Sequence, residues 1–142
     1  MKKLLIGTVL CAALAMAEGD STGKYAIILQ AGNETNEGGA RALHALLYAG
    51  ELLSSGYKVV LVFDGAGTGW ANELAKSEHP LNELYRELKA KGIMEEVCDD
   101  CAEHLKVKDK LTEEQRNLLT GDYKGHPSLV RWIKQGYRIL VL

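Results

Sequence analysis

The sequence predicts an α/β fold: a three-layer sandwich with a mainly parallel sheet of about five strands and helices on both faces. Three observations carry that expectation. Apolar runs of strand length recur at Tyr25 to Gln30, Lys58 to Asp64, Ile93 to Val97 and Tyr137 to Leu142. Most are too continuous for strands with one wet face, which makes them buried and parallel. Helical segments stand between them, and strand–helix alternation specifies a parallel sheet with helical crossovers. The composition agrees: of 142 residues, 46% are hydrophobic and 25% charged, which suits one globular domain and excludes disorder, collagen and disulfide-packed miniproteins.

The elements follow in order. Tyr25 to Gln30 is the first buried strand, and the polar, Gly-rich stretch 31–39 is a loop. Leu43, Leu46, Leu47, Gly50 and Leu53 fall on one face of a helix. Gly56 stops it. Lys58 to Asp64 is a second buried strand, and Gly65-Ala66-Gly67-Thr68-Gly69 turns the chain. A short helix is expected over Trp70 to Lys76. Pro80 opens another, with Leu81, Leu84, Tyr85 and Leu88 on one face and Gly92 at its end. Ile93 to Val97 is a third strand, made less apolar by Glu95 and Glu96. Asp99 to Leu105 starts a helix, and Thr112-Glu113-Glu114-Gln115 starts another. A weak fourth strand falls within Leu118 to Tyr123. Pro127 to Gln135 is a helix stopped by Gly136, and Tyr137 to Leu142 is the last strand.

The first seventeen residues stand apart. Met1-Lys2-Lys3 precedes an uncharged apolar run from Leu4 to Ala17. That run is too short for a membrane span, which needs ~20 residues. A positive start, a short apolar centre and Ala15-Met16-Ala17 make a secretory signal peptide cleaved before Glu18. Removing 17 of the 142 residues leaves 125, takes the net charge from −2 to −4, and keeps Cys98 and Cys101 but not Cys11. The expected organisation is a signal peptide over 1–17 and one domain over 18–142. The expected destination is outside the cytoplasm, in a periplasm, with no stable membrane span after cleavage. Export brings an oxidising compartment, where a thiol pair can close into a disulfide.

The strongest chemical signal is Cys98-Asp99-Asp100-Cys101. Spacing of three at a helix start puts both sulfurs on one face, within reach of a disulfide or a shared ligand. Free N–H groups there favour a thiolate. Glu95, Glu96, Asp99, Asp100 and Glu103 oppose it, since neighbouring carboxylates raise a thiol pKa. A chain of this size buries a core without staples, so the pair is not needed for stability. The plainer readings are two small buried apolar cysteines or an inert disulfide. Cys98, Cys101 and His104, at spacings of three and six, also make a sparse metal-ligand set. His126 can line the same sheet edge as Cys98 or serve as an ordinary loop histidine. His44 and His79 fall on helical stretches, at the surface or half-buried, and Trp70 and Trp132 read as core or oligomer contacts.

Several functions are excluded. A pI near 6.1 gives no footprint for nucleic acid. The loop 32–39 lacks the phosphate-binding GK[ST], and Gly65, Gly67 and Gly69 lack dinucleotide spacing. There is no G-x-S-x-G nucleophile motif. Ala102 follows Cys101 where haem attachment needs His. The Cys pair lies late in the chain, unlike that of thioredoxins. No cofactor is expected.

Four stretches, YAIILQAG, LLSSGYKVVLVFDGAG, KGIMEEVCDDCA and GYRILVL, together resemble the DsrE/DsrF-like family of sulfur-relay proteins, which includes the TusD and YchN types. The resemblance spans Tyr25 to Leu142. It implies a three-layer α/β fold, homo- or hetero-oligomers that are often trimers or hexamers, and sulfur passed between proteins as a cysteine persulfide. Cys98 falls on the family's persulfide cysteine. Some members carry a second cysteine three residues on, as Cys101 is here, which implies that Cys101 resolves the persulfide. The resulting expectation is an exported sulfur carrier or thiol-redox protein that acts through Cys98 and Cys101 with a donor or acceptor protein. The alternative is a non-catalytic oligomeric protein that binds a metal or small ligand and holds a structural disulfide.

Overall fold

The computed structural model describes residues 23–142. The expected signal segment 1–17, its expected cleavage point and Cys11 lie outside the described residues. The elements run β1 (Lys24–Leu29), α1 (Asn36–Ser54), β2 (Lys58–Phe63), α2 (Gly69–Ala75), α3 (Asn82–Ala90), β3 (Met94–Cys98), α4 (Asp99–His104), α5 (Glu113–Arg116), β4 (Leu119–Thr120), α6 (Leu129–Lys134) and β5 (Tyr137–Val141). All the strand pairs are parallel, in the order β4-β3-β2-β1-β5. Among the described residues no helix is long and apolar enough to cross a membrane.

Alternation along the strands separates two apolar clusters. Ile27, Leu29, Val59, Leu61, Phe63 and Val97 face the large cluster beneath α1 to α4. Ala26, Ile28, Val60 and Val62 face the other side, where Trp132 of α6 packs on them. Helices therefore cover both faces, but among the described residues the second layer is one short helix. The chain steps from β1 out to β4 and then returns to pair β5 with β1. The strand order reverses at β1, so the crevice beyond the carboxyl ends of β1 and β5 is where a ligand site belongs in such a sheet.

The structure differs from the sequence expectation at three places. The inward stripe of α1 is Ala42, Ala45, Leu46 and Ala49, while Leu43 and Leu47 are exposed. Small side chains let the helix lie close on the sheet, so the stripe follows alanine rather than leucine. The last helix begins at Leu129, not Pro127, because the Ser128 hydroxyl accepts the Arg131 N–H and caps it there. The fourth strand shrinks to two residues. Trp70 and Trp132 are both buried, as core residues are.

Candidate functional site

The carboxyl ends of β2 and β3 bring the first three groups together. Asp64 directly follows β2. Gly67, in the turn after it, sits so close to the Leu29 carbonyl that no Cβ fits. This close approach holds the turn against the end of β1. Gln30 then reaches across, its Nε2 donating to Asp64 Oδ2 at 2.7 Å. Cys98 ends β3 and caps α4: its Sγ accepts the Cys101 N–H at 3.3 Å. The following helical turn points the Cys101 thiol at Asp64 Oδ1, 3.5 Å away.

The fourth group comes from the connection between β4 and α6. Tyr123 and His126 exchange backbone hydrogen bonds of 2.8 and 2.9 Å across a tight turn. Gly125 lies in that turn at φ +85°, a conformation most side chains avoid. Its carbonyl accepts the Asp100 N–H at 2.9 Å, which ties the turn to the start of α4. His126 Nδ1 thereby lies 3.2 Å from Cys98 Sγ and 3.7 Å from Cys101 Sγ. Its other nitrogen, Nε2, faces Asp100 Oδ2 at 3.4 Å.

Burial pushes the Cys98 thiol pKa well up, the neighbouring Cys101 thiol and the Asp64 charge add to the rise, and the Cys101 N–H opposes it. Cys98 is therefore held as a neutral thiol. Asp64 moves the other way. Partial burial would raise it, but bonds from Gln30, both thiols and the Gly65 N–H outweigh burial and keep it a carboxylate.

Carboxylates do oppose thiolate formation, as the sequence suggests, but by a different route. Glu95 turns to the opposite face, where it accepts the Tyr85 hydroxyl. Glu96 is paired with Arg131 at 2.7 Å, and Asp99 with Lys108 at 2.7 Å. Glu103 lies near the same lysine. The acid that touches the thiols is Asp64, 37 residues from Cys101 in sequence.

A cavity of about 410 Å³ adjoins the cluster between α6 and the sheet. Ile28, Val62, Trp132, Ile133, Ile139 and Val141 give it apolar walls, and Gln30, Asp64 and His126 make its polar side. Arg131 pins α6 above it through Asp122 and Glu96. The cavity lies at the β1/β5 crevice where the strand order reverses.

Cys98 and Cys101 come together with their thiols free. His104 does not join them: it points away, largely exposed, with Nδ1 near the Asp100 carbonyl and carboxylate. His126 supplies the imidazole instead. Asp64 is the residue that sequence reasoning missed. It closes the second buried strand at the carboxyl edge, the same signal that singles out Cys98.

The DsrE/DsrF-like family profile matches residues 23–142, nearly all of the chain. The chain belongs to the DsrE/DsrF-like family. This DsrE-like chain is 33% identical over 100 residues to the uncharacterized protein MJ0733 of Methanocaldococcus jannaschii, an alignment that covers 70% of this chain and 78% of that one. Its fold also resembles that of BT1422, a conserved protein of unknown function from Bacteroides thetaiotaomicron. The TM-score is 0.58 at 23% identity, over 84% of this DsrE-like chain and 94% of the other.

Proposed function

We propose that this DsrE-like protein carries sulfur as a persulfide on Cys98, with His126 as the proton acceptor and Cys101 as the resolving thiol. The observation that carries the reading is the 3.2 Å contact between Cys98 Sγ and His126 Nδ1. A buried thiol with a raised pKa needs a base in direct contact to become a nucleophile. Family membership supports the sulfur chemistry and the fully buried position of Cys98 supports a carrier role, since a covered persulfide is shielded from water.

The steps balance with a persulfide donor, R–S–SH. His126 takes the Cys98 proton. The thiolate attacks the donor's outer sulfur, an S–S bond forms on Cys98, and R–S⁻ leaves. When Cys101, as thiolate, attacks the inner Cys98 sulfur, hydrosulfide departs and a Cys98–Cys101 disulfide remains. A dithiol reductant restores the pair. The half-exposed His126 ring lies directly against the buried Cys98 thiol.

Two further parts of the proposal rest on sequence and surface. The pattern of residues 1–17 supports export, which makes the reductant an exported one. Leu129, Val130, Ile133 and Val141 leave an exposed apolar surface on α6 and edge strand β5, which supports self-association into a trimer or hexamer. Donor and acceptor proteins would dock at the same sheet edge.

The test is the rate of sulfur uptake from a small persulfide donor under anaerobic conditions. His126→Ala should slow uptake by roughly 10²–10⁴-fold. Cys98→Ser should take up none, and Cys101→Ser should load sulfur without releasing sulfide. Uptake at the unmodified rate in His126→Ala would overturn the reading.

A further inference from the structure

We propose that Asp64, Cys98, Cys101 and His126 form a four-ligand site for a thiophilic divalent ion of the zinc class. One ligand atom from each lies within 4.8 Å of every other. Cys98 Sγ lies 3.2 Å from His126 Nδ1, Cys101 Sγ lies 3.7 Å from the same nitrogen, and Cys101 Sγ lies 3.5 Å from Asp64 Oδ1. Tetrahedral zinc with bonds of ~2.0–2.3 Å separates neighbouring sulfur, nitrogen and oxygen ligands by about 3.3–3.8 Å. Three of the six separations already lie within about 0.3 Å of that spacing, and the other three, each within 4.8 Å, close by at most about 1–1.5 Å on an ion.

The surrounding groups support the same assignment independently. Gln30 holds Asp64 through Oδ2, which leaves Oδ1 turned to the sulfurs. Asp100 faces Nε2 of His126, which leaves Nδ1 turned to them. A carboxylate behind a ligating imidazole and a bonded ligating carboxylate are the two outer supports that metal sites characteristically use. Two thiols, one imidazole and one carboxylate are a donor set for zinc rather than for magnesium or calcium, which prefer all-oxygen shells. Binding M²⁺ forms two metal–sulfur bonds and releases the two thiol protons, with no electron transferred.

The site shares its cysteines with the sulfur chemistry but does not depend on it. Loss of metal binding with sulfur uptake intact would defeat only the present inference. Loss of sulfur uptake with metal binding intact would defeat only the carrier reading. The two uses exclude one another, because a persulfide or a disulfide occupies the ligating sulfurs.

The experiment is anaerobic titration of the reduced, full-length protein with Zn²⁺ against a chromophoric chelator, paired with Co²⁺ absorption to report tetrahedral thiolate ligation. The expected result is one ion per chain. His126→Ala and Asp64→Asn should each weaken binding by at least ~10-fold and Asp100→Asn by roughly 10–100-fold, while His104→Ala leaves it unchanged. Wild-type protein oxidised to the disulfide should bind nothing, a comparison that needs no substitution and so cannot fail through misfolding. No ion bound by the reduced wild-type chain would overturn the site. So would loss in His104→Ala with retention in His126→Ala, which would place the ligands along one helix instead.

Discussion

His126 Nδ1 stands 3.2 Å from Cys98 Sγ, although 28 residues separate them in sequence. The contact depends on two joints. One is the turn at Gly125, which presents the imidazole. The other is the Asp100 N–H bond to the Gly125 carbonyl, which fastens that turn to the helix that follows Cys98. A base from one connection and a thiol from a strand end thus meet beside an apolar cavity.

The two thiols should differ in reactivity. Cys98 is fully buried with a raised pKa, whereas Cys101 is partly exposed. Thiolate character and access both set alkylation rates. In the reduced native protein, iodoacetamide should modify Cys101 at least ~10-fold faster than Cys98. Peptide mapping over a time course reads this directly, and equal rates would mean that Cys98 is not covered.

The Cys98 shift makes stability depend on pH. Its folded pKa lies above the ordinary 9.0, so the folded state keeps a proton that the unfolded state loses. The stabilisation is whole below that value and is lost as pH rises beyond it. The metal-free reduced protein should lose stability as pH climbs above 9.0, and Cys98→Ala should flatten the part of the slope that begins there. Tyr85, also buried and raised from 10.0, keeps its share of the slope at higher pH in both proteins. Urea unfolding at a series of pH values measures the difference.

Gly125→Ala should disturb the site without touching a reacting group. A Cβ there would lie 2.9 Å from the Asp100 Cβ, at a φ of +85° that alanine resists. The cost should be at least ~1 kcal/mol of stability. Displacement of His126 should also slow sulfur uptake in the protein that remains folded. Normal uptake alongside lowered stability would show that the turn only supports the fold.

The proposed self-association should depend on the thin second layer. Val130 and Ile133 are more than half exposed on α6, next to Val141 at the sheet edge. Ile133→Glu should shift the protein to a smaller species in light scattering after size-exclusion chromatography. An unchanged mass would move the interface elsewhere, and the exposed Leu43 and Leu47 of α1 would be the next face to test.

The sheet and the Cys98 position were legible because each buried strand is a short apolar run and active groups gather at carboxyl ends. The α1 stripe is not legible from leucine spacing, because alanine carries a weak hydrophobic signal even where it makes the closest packing. His104 is near the cysteines in sequence but is turned out to solvent in the structure. Asp64 and His126 join the cysteines only through the parallel pairing of β2 with β3 and the turn at Gly125. Local spacing gives neither contact, although the sheet-edge reading offers a place for His126 beside Cys98 as one of two alternatives. The paired acids Glu96 and Asp99 show the converse, since sequence neighbours of the thiols find their partners elsewhere.

The most direct measurement is the intact mass of reduced Cys101→Ser protein after anaerobic incubation with a small persulfide donor, followed by peptide mapping. Sulfur carriage on Cys98 predicts a gain of one sulfur atom, located on the peptide that contains Cys98, removed by a dithiol and absent from Cys98→Ser. No gain in mass, or an added sulfur that persists in Cys98→Ser, would contradict it.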